Sequence, residues 1–163
     1  MLLVPDADGP SRRHLLTVLA GRPAVVGPAR PWMQARASYE RALRAAGLPS
    51  AQGETGPIDS ESHLAELVIG ADPDALADLR ARVLAPLAVF KPDTRLRLAE
   101  TLQAWLLHQG RREQAAASLH IHPQTVRYRM GQLREVYGDR LDEPDTVLEL
   151  LVALHPDPAA AAG

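Results

Sequence analysis

A chain of 163 residues has room for one ordinary domain or two small ones. Its hydrophobic fraction is 46%, but only six residues are Phe, Trp or Tyr, so the expected core is Ala and Leu on closely packed helices. The absence of cysteine excludes disulfides and thiolate metal sites, and the formal net charge of −2 gives no whole-chain attraction to nucleic acid or membrane.

In chain order, Leu2, Leu3 and Val4 predict a short buried strand over residues 1–5, followed by a turn of Asp, Gly and Pro over 6–10. Ser11 is the expected cap of a helix to about Ala20, with Leu15, Leu16 and Leu19 on one face and Gly21 as its stop. Ala24, Val25 and Val26 predict a second short strand over 23–27. A helix is expected over 32–46, stopped by Gly47 and Pro49, and Ile58 marks a third short strand after the polar loop 50–57. This βαβα order predicts a small N-terminal α/β portion on an otherwise mainly α chain.

Beyond Ser60 the pattern is helical. A short apolar segment covers 63–69, and Pro73 opens a helix to about Leu84. Pro86 interrupts, and Lys91, Pro92 and Asp93 make a second break. Leu98, Leu102, Trp105 and Leu106 then share one face of a long amphipathic helix ending near Gly110, with Trp105 most simply a core residue. The Ala-rich end, 156–163, is expected to be disordered.

The segment from Arg112 to Tyr137 has the offsets of a helix-turn-helix. Ala116 is small where two helix backbones must approach, Leu119 ends the first helix, and Ile121 plugs the turn. Pro123 suits the first turn of the second helix, where a missing N–H costs nothing. At about 100° per residue, Val126, Met130, Leu133 and Tyr137 fall on one side of that helix. Gln124, Tyr128, Gly131 and Glu135 fall opposite, with Thr125 and Gln132 on one flank and Arg127 and Arg134 on the other. Gln, Thr and Arg can hydrogen-bond base edges, and Arg and Tyr can hold phosphates. Gly131 costs an exposed helix about 1 kcal/mol, explained either by close approach of a phosphate backbone or by plain tolerance.

Charge is unevenly placed. Residues 91–140 hold nine Lys or Arg against five Asp or Glu, whereas 141–163 hold none against five. A basic block before an acidic tail fits a local anion-binding surface, although a solvated helix face gives the same count.

Much of this C-terminal stretch resembles the helix-turn-helix of PucR/CdaR-type bacterial transcription regulators. Leu84–Ala85–Pro86–Leu87 is similar to its opening, and Leu98–Ala99–Glu100–Thr101–Leu102 with Trp105–Leu106 to its long first helix. Ala116, Leu119, His122, Thr125–Val126–Arg127–Tyr128–Arg129 and Leu133 resemble the recognition region. Gly138, Leu141, Pro144 and the apolar run 147–154 resemble its ending. Pro123–Gln124 replaces the family's common Arg-Asn after the His, removing one DNA contact, and His120 stands in a turn where Gly is usual.

Residues 1–83 resemble, on Trp32, Ser38–Tyr39, Ala42 and Ile58–Asp59, part of the GGDEF-like domain that precedes this module in the family, without a cyclase motif. The implied domains are 1–83 and 84–155. The implied partners are operator double-stranded DNA, a second copy of the chain, and a small-molecule effector sensed by a region absent here. The chain reads either as a whole regulator or as a C-terminal fragment of one.

The DNA-binding residues expected are Arg111, Arg112, His122, Gln124, Thr125, Arg127, Tyr128, Gln132 and Arg134. Arg111, Arg112 and Arg134 are assigned to phosphates, and Gln124, Thr125, Arg127 and Tyr128 to the major groove. His120 and His122 have no carboxylate or third His beside them, which favours a cap or a phosphate contact over a metal. No cofactor is implied. No nucleophile–base pair, paired carboxylates or phosphate loop stands out, so an enzyme is not the expected class. The competing reading is a protein-interaction module, since helix-turn-helix shapes also bind proteins. No stretch approaches the roughly 20 apolar residues of a membrane span, and no signal-peptide pattern opens the chain, so a cytoplasmic location is expected.

Overall fold

The computed structural model describes residues 1–53 and 55–156. They form two compact units divided between Ala71 and Asp72.

In the first unit, helix α1 (Gly9–Val18) is followed by strand β1 (Val25–Val26), helix α2 (Ala35–Ala46), strand β2 (Ile58–Asp59) and helix α3 (Leu64–Ile69). The strands are parallel, with Val25 opposite Ile58 and Val26 opposite Asp59. Parallel neighbours need a crossover, and α2 supplies it, packing on both strands. The close approach depends on Gly27, where a Cβ would lie 2.5 Å from Ser38 Oγ. Ser38 Oγ instead donates to Pro28 O at 2.7 Å.

Arg12 is the buried residue of α1, while Leu15, Leu16 and Leu19 are half-buried. Its guanidinium donates to Gly27 O at 2.8 Å and Val26 O at 3.3 Å and pairs with Asp59 and Glu61. Burial pushes the Asp59 carboxyl up. The Arg12 hydrogen bond, the Glu61 N–H and the charges of Arg12 and His63 outweigh it and hold the group below its ordinary value.

Two expectations for this unit need correction. Residues 1–5 are not a buried strand: Leu2 and Leu3 are exposed, because no described segment offers them a ladder partner. The sheet accordingly has two strands among the described residues, where about three were expected. Asp8 precedes α1 with Pro10 in its first turn, so the helix starts before Ser11.

The second unit contains α4 (Pro73–Val83), a 3-10 turn (Ala85–Val89), α5 (Pro92–Leu107), α6 (Arg112–Ser118), α7 (Pro123–Tyr137), a 3-10 turn (Gly138–Asp142) and α8 (Pro144–Ala153). Val83, Leu87, Leu98, Leu102, Val126, Met130, Leu133 and Leu150 form its fully buried core. The division between units falls before α4, not after it as the 83/84 boundary assumed. Leu76 and Val83 are buried where α4 packs on α8, so the helix is integral to this core. Arg80 also caps the end of α8 through Ala153 O at 3.0 Å and His155 O at 2.7 Å. The expected disordered tail lies, from residue 157 onward, outside the described residues.

Candidate nucleic-acid interface

Helices α6 and α7 pack on each other and on α5, and both contribute to the same core. Ala115 and Ala116 are buried at the contact, where larger side chains would hold the helices apart. The turn between them passes through His120 at φ +53°, the left-handed region that glycine enters with less strain. His122 then caps α7, its Nδ1 accepting from the Gln124 N–H at 3.1 Å, and Pro123 fills the first helical position.

The angular sorting of α7 agrees with its burial. Val126, Met130, Leu133 and Tyr137 are buried, while Gln124, Arg127, Tyr128, Arg134 and Glu135 are exposed. Thr125, Gly131 and Gln132 are half-buried. Tyr128 is 67% exposed, so most of a large ring stands in solvent. Arg129 differs from its neighbours. Its Nη1 donates to Thr101 Oγ at 3.0 Å, and Thr101 donates to Arg97 O at 2.7 Å, so this arginine ties α7 to α5. A Cβ at Gly131 would meet nothing within 4 Å, so the fold itself does not require glycine there.

The arginines assigned to phosphates converge with one that was not. Arg111, Arg112, Arg127 and Arg134 line a single open cleft of about 430 Å³ with Trp105, Gly110, Glu113 and Met130. Arg112 leans on Glu113 through Nη2 at 2.8 Å, and the hydrogen bond from Arg112 lowers the Glu113 carboxyl below its ordinary value. The Arg134 guanidinium lies over the Trp105 ring, 5.7 Å from its centroid. Gly110 makes room for that ring: at φ +76° its N–H reaches back to Trp105 O at 2.9 Å, and a Cβ would lie 3.3 Å from the indole. Trp105 is half-buried, so it is a cleft wall as well as a core residue. The Trp–x4–Gly spacing was the available sign that this ring packs against the helix end. Gln124, Thr125, Tyr128 and Gln132 do not line the cleft.

Residues 98–155 match the PucR C-terminal helix-turn-helix domain. The matched segment thus runs from within α5, at Leu98, through α6 and α7 to just past α8, while Leu84–Leu87 lie before it. The chain is also 32% identical over 143 residues to uncharacterized proteins of Mycobacterium bovis and Mycobacterium tuberculosis, covering 86% of this chain and 34% of theirs. It therefore spans about a third of the length of these curated relatives. An uncharacterized protein of Thermomonospora curvata is 36% identical over 72 residues, 44% of this chain and 39% of that one.

Outside the PucR-type segment, Ser50, His63 and Glu66 meet in the first unit. Ser50 Oγ donates to Glu66 Oε2 at 2.6 Å and stands 3.2 Å from His63 Nδ1, the nitrogen that also faces Glu66. Serine and carboxylate crowd one imidazole nitrogen, which is not the relay a nucleophilic serine needs. No helix among the described residues is long and apolar enough to cross a membrane.

Proposed function

We propose that this chain is a DNA-binding transcription regulator, or its C-terminal part, and that α7 enters the major groove of operator DNA. The observation that carries the reading is the division of α7 within a PucR-type helix-turn-helix: apolar anchors are buried while Gln124, Arg127 and Tyr128 are left in solvent. Gln124, Thr125, Tyr128 and Gln132 face base edges. Arg111, Arg112 and Arg134 hold the backbone, His122 sets the start of the helix, and Arg127 stands at the seam between the two sets.

The first unit supports a homodimer. Leu2, Leu3, Trp32, Met33 and Val68 are exposed, and the two-stranded sheet has no further strand at either edge among the described residues. Pairing would also place two helix-turn-helix units on two half-sites. The GGDEF-like origin of this unit, a cytoplasmic location and an effector sensed by a segment outside this chain belong to the same proposal.

Fluorescence anisotropy with promoter DNA from upstream of the chain's own gene tests the reading. Binding should weaken steeply as salt rises, because phosphate neutralisation releases counterions. No binding to any duplex at low salt, together with salt-insensitive capture of a protein partner, would establish the interaction module instead.

A further inference from the structure

We infer that the cleft walled by Trp105 and Arg134 is a pocket for one phosphate group, and that Arg127 is a ligand of that phosphate rather than a reader of bases. The inference deepens the DNA-binding reading and rests on it for the source of the phosphate, a backbone phosphodiester.

Eight residues line the cleft, and four of them are arginines against a single glutamate that is already engaged by Arg112. Two separate pieces of backbone deliver those arginines. Arg111 precedes α6, Arg112 begins it, and Arg127 and Arg134 stand two helical turns apart on α7. None of Arg111, Arg127 and Arg134 has an ion pair among the described residues. Like charges converging in this way repel one another unless an anion sits between them, so the arrangement fits a group with several acceptor oxygens.

The tryptophan sets the geometry. Its ring attracts the Arg134 guanidinium across its face, which holds the side chain beside the cleft and restricts its rotamers before any ligand arrives. The ring itself is fixed from behind, because α5 closes through Gly110 and no Cβ intrudes at that glycine. Trp105 is thus a positioning residue for Arg134. Met130 also lines the cleft and is buried in the core, so one wall is rigid and apolar. The pocket's edge then sets the border of the groove-facing surface. Gln124, Thr125 and Tyr128 remain to read bases, and Arg127 joins the backbone set.

A Trp32→Phe background leaves Trp105 as the single tryptophan, and Trp32 is exposed. Adding a duplex of scrambled sequence at low salt should change the Trp105 emission saturably. Arg127→Ala and Arg134→Ala should each lower affinity equally for promoter and scrambled DNA and reduce the salt slope by about one. Trp105→Leu should weaken both duplexes about two- to five-fold, with Trp105→Phe restoring most of the loss because a ring face remains. A purely structural Trp105 would show equal losses for Leu and Phe, tracked by circular dichroism.

Inorganic phosphate, titrated against chloride at matched ionic strength, separates the sources. Weak millimolar quenching that duplex DNA outcompetes supports the backbone assignment, and tight quenching by free phosphate without duplex binding would assign the pocket to a phosphorylated small molecule. If the wild-type chain binds no duplex and phosphate leaves Trp105 unchanged, both the DNA reading and the pocket fall. If it binds promoter DNA but Arg127→Ala affects only the promoter, the pocket alone is overturned and Arg127 reads a base.

Discussion

The hydroxyl of Tyr137, in the last turn of α7, donates to the carbonyl of Val83, in the last turn of α4, at 2.8 Å and out of reach of water. This bond joins the proposed recognition helix to the element that opens the unit. Tyr137→Phe keeps the ring and strips the donor, leaving a buried carbonyl unpaired, and should cost about 1–3 kcal/mol in urea unfolding. Burial also pushes the Tyr137 hydroxyl up from 10.0 to about 12, with the Arg140 charge opposing. Because the folded value exceeds the unfolded one, this contribution is complete below pH 10 and is lost as pH rises toward 12. The wild-type urea midpoint should fall through that window more steeply than that of Tyr137→Phe. Parallel curves would show that Tyr137 is not the group responsible.

Gln124 and Tyr128 test the proposed groove-facing surface most sharply, since both are exposed and neither lines the arginine cleft. Gln124→Ala and Tyr128→Ala should each cost about 1–3 kcal/mol on the natural operator and much less on scrambled DNA. Paired anisotropy titrations measure the difference. Equal losses on both sequences would move these side chains to the backbone set.

The helical unit was legible because its signals are local. The 3.6-residue spacing of Val126, Met130, Leu133 and Tyr137 fixes a buried stripe whatever surrounds it, and Pro73, Pro92, Pro123 and Pro144 each occupy the first turn of a helix. Tertiary facts were less legible. Val83 ends a helix that reads equally well as the close of the first domain, and only its packing on α8 assigns it to the second. Leu2 and Leu3 have the composition of a strand, but a strand exists only where another offers its hydrogen bonds. The cleft is not legible in the sequence because Trp105 and Arg134 lie on different helices, so no spacing reveals that they stack.

Gly131 offers a change that separates stability from binding. Its Cβ position is open and its φ is not left-handed, so Gly131→Ala should stabilise the unit by about 0.5–1 kcal/mol through helix propensity and a less flexible unfolded chain. Thermal melts measure this directly. Operator affinity in the same variant then decides between the two accounts of the glycine: a loss places a phosphate backbone against it, and no change leaves simple tolerance.

His120 carries the opposite penalty. A non-glycine residue at φ +53° costs roughly 1–2 kcal/mol, and glycine regains part of this against its greater unfolded-state entropy. His120→Gly should therefore raise the urea midpoint by a net amount on the order of 0.5 kcal/mol, with DNA affinity held. A drop in stability would show that the imidazole makes a contact worth more than the strain it imposes.

Truncation tests both the unit boundary and the dimer. A chain beginning at Leu84 keeps the matched segment but removes Leu76 and Val83 from the core and Arg80 from the end of α8. Losing two large buried side chains alone forfeits about 3–6 kcal/mol. That is comparable with the whole stability of a small domain, roughly 5–15 kcal/mol, so this chain should be largely unfolded by circular dichroism. A chain beginning at Asp72 retains α4 and its N-cap, where the Asp72 carboxylate accepts from the Ala75 N–H at 2.9 Å, and should fold. If the exposed apolar surface of the first unit makes the dimer contact, light scattering at tens of micromolar should give a dimer for all 163 residues and a monomer for the chain from Asp72. A dimer that survives removal of residues 1–71 would place the contact on the helical unit, and a monomeric 163-residue chain would remove the two-half-site arrangement altogether.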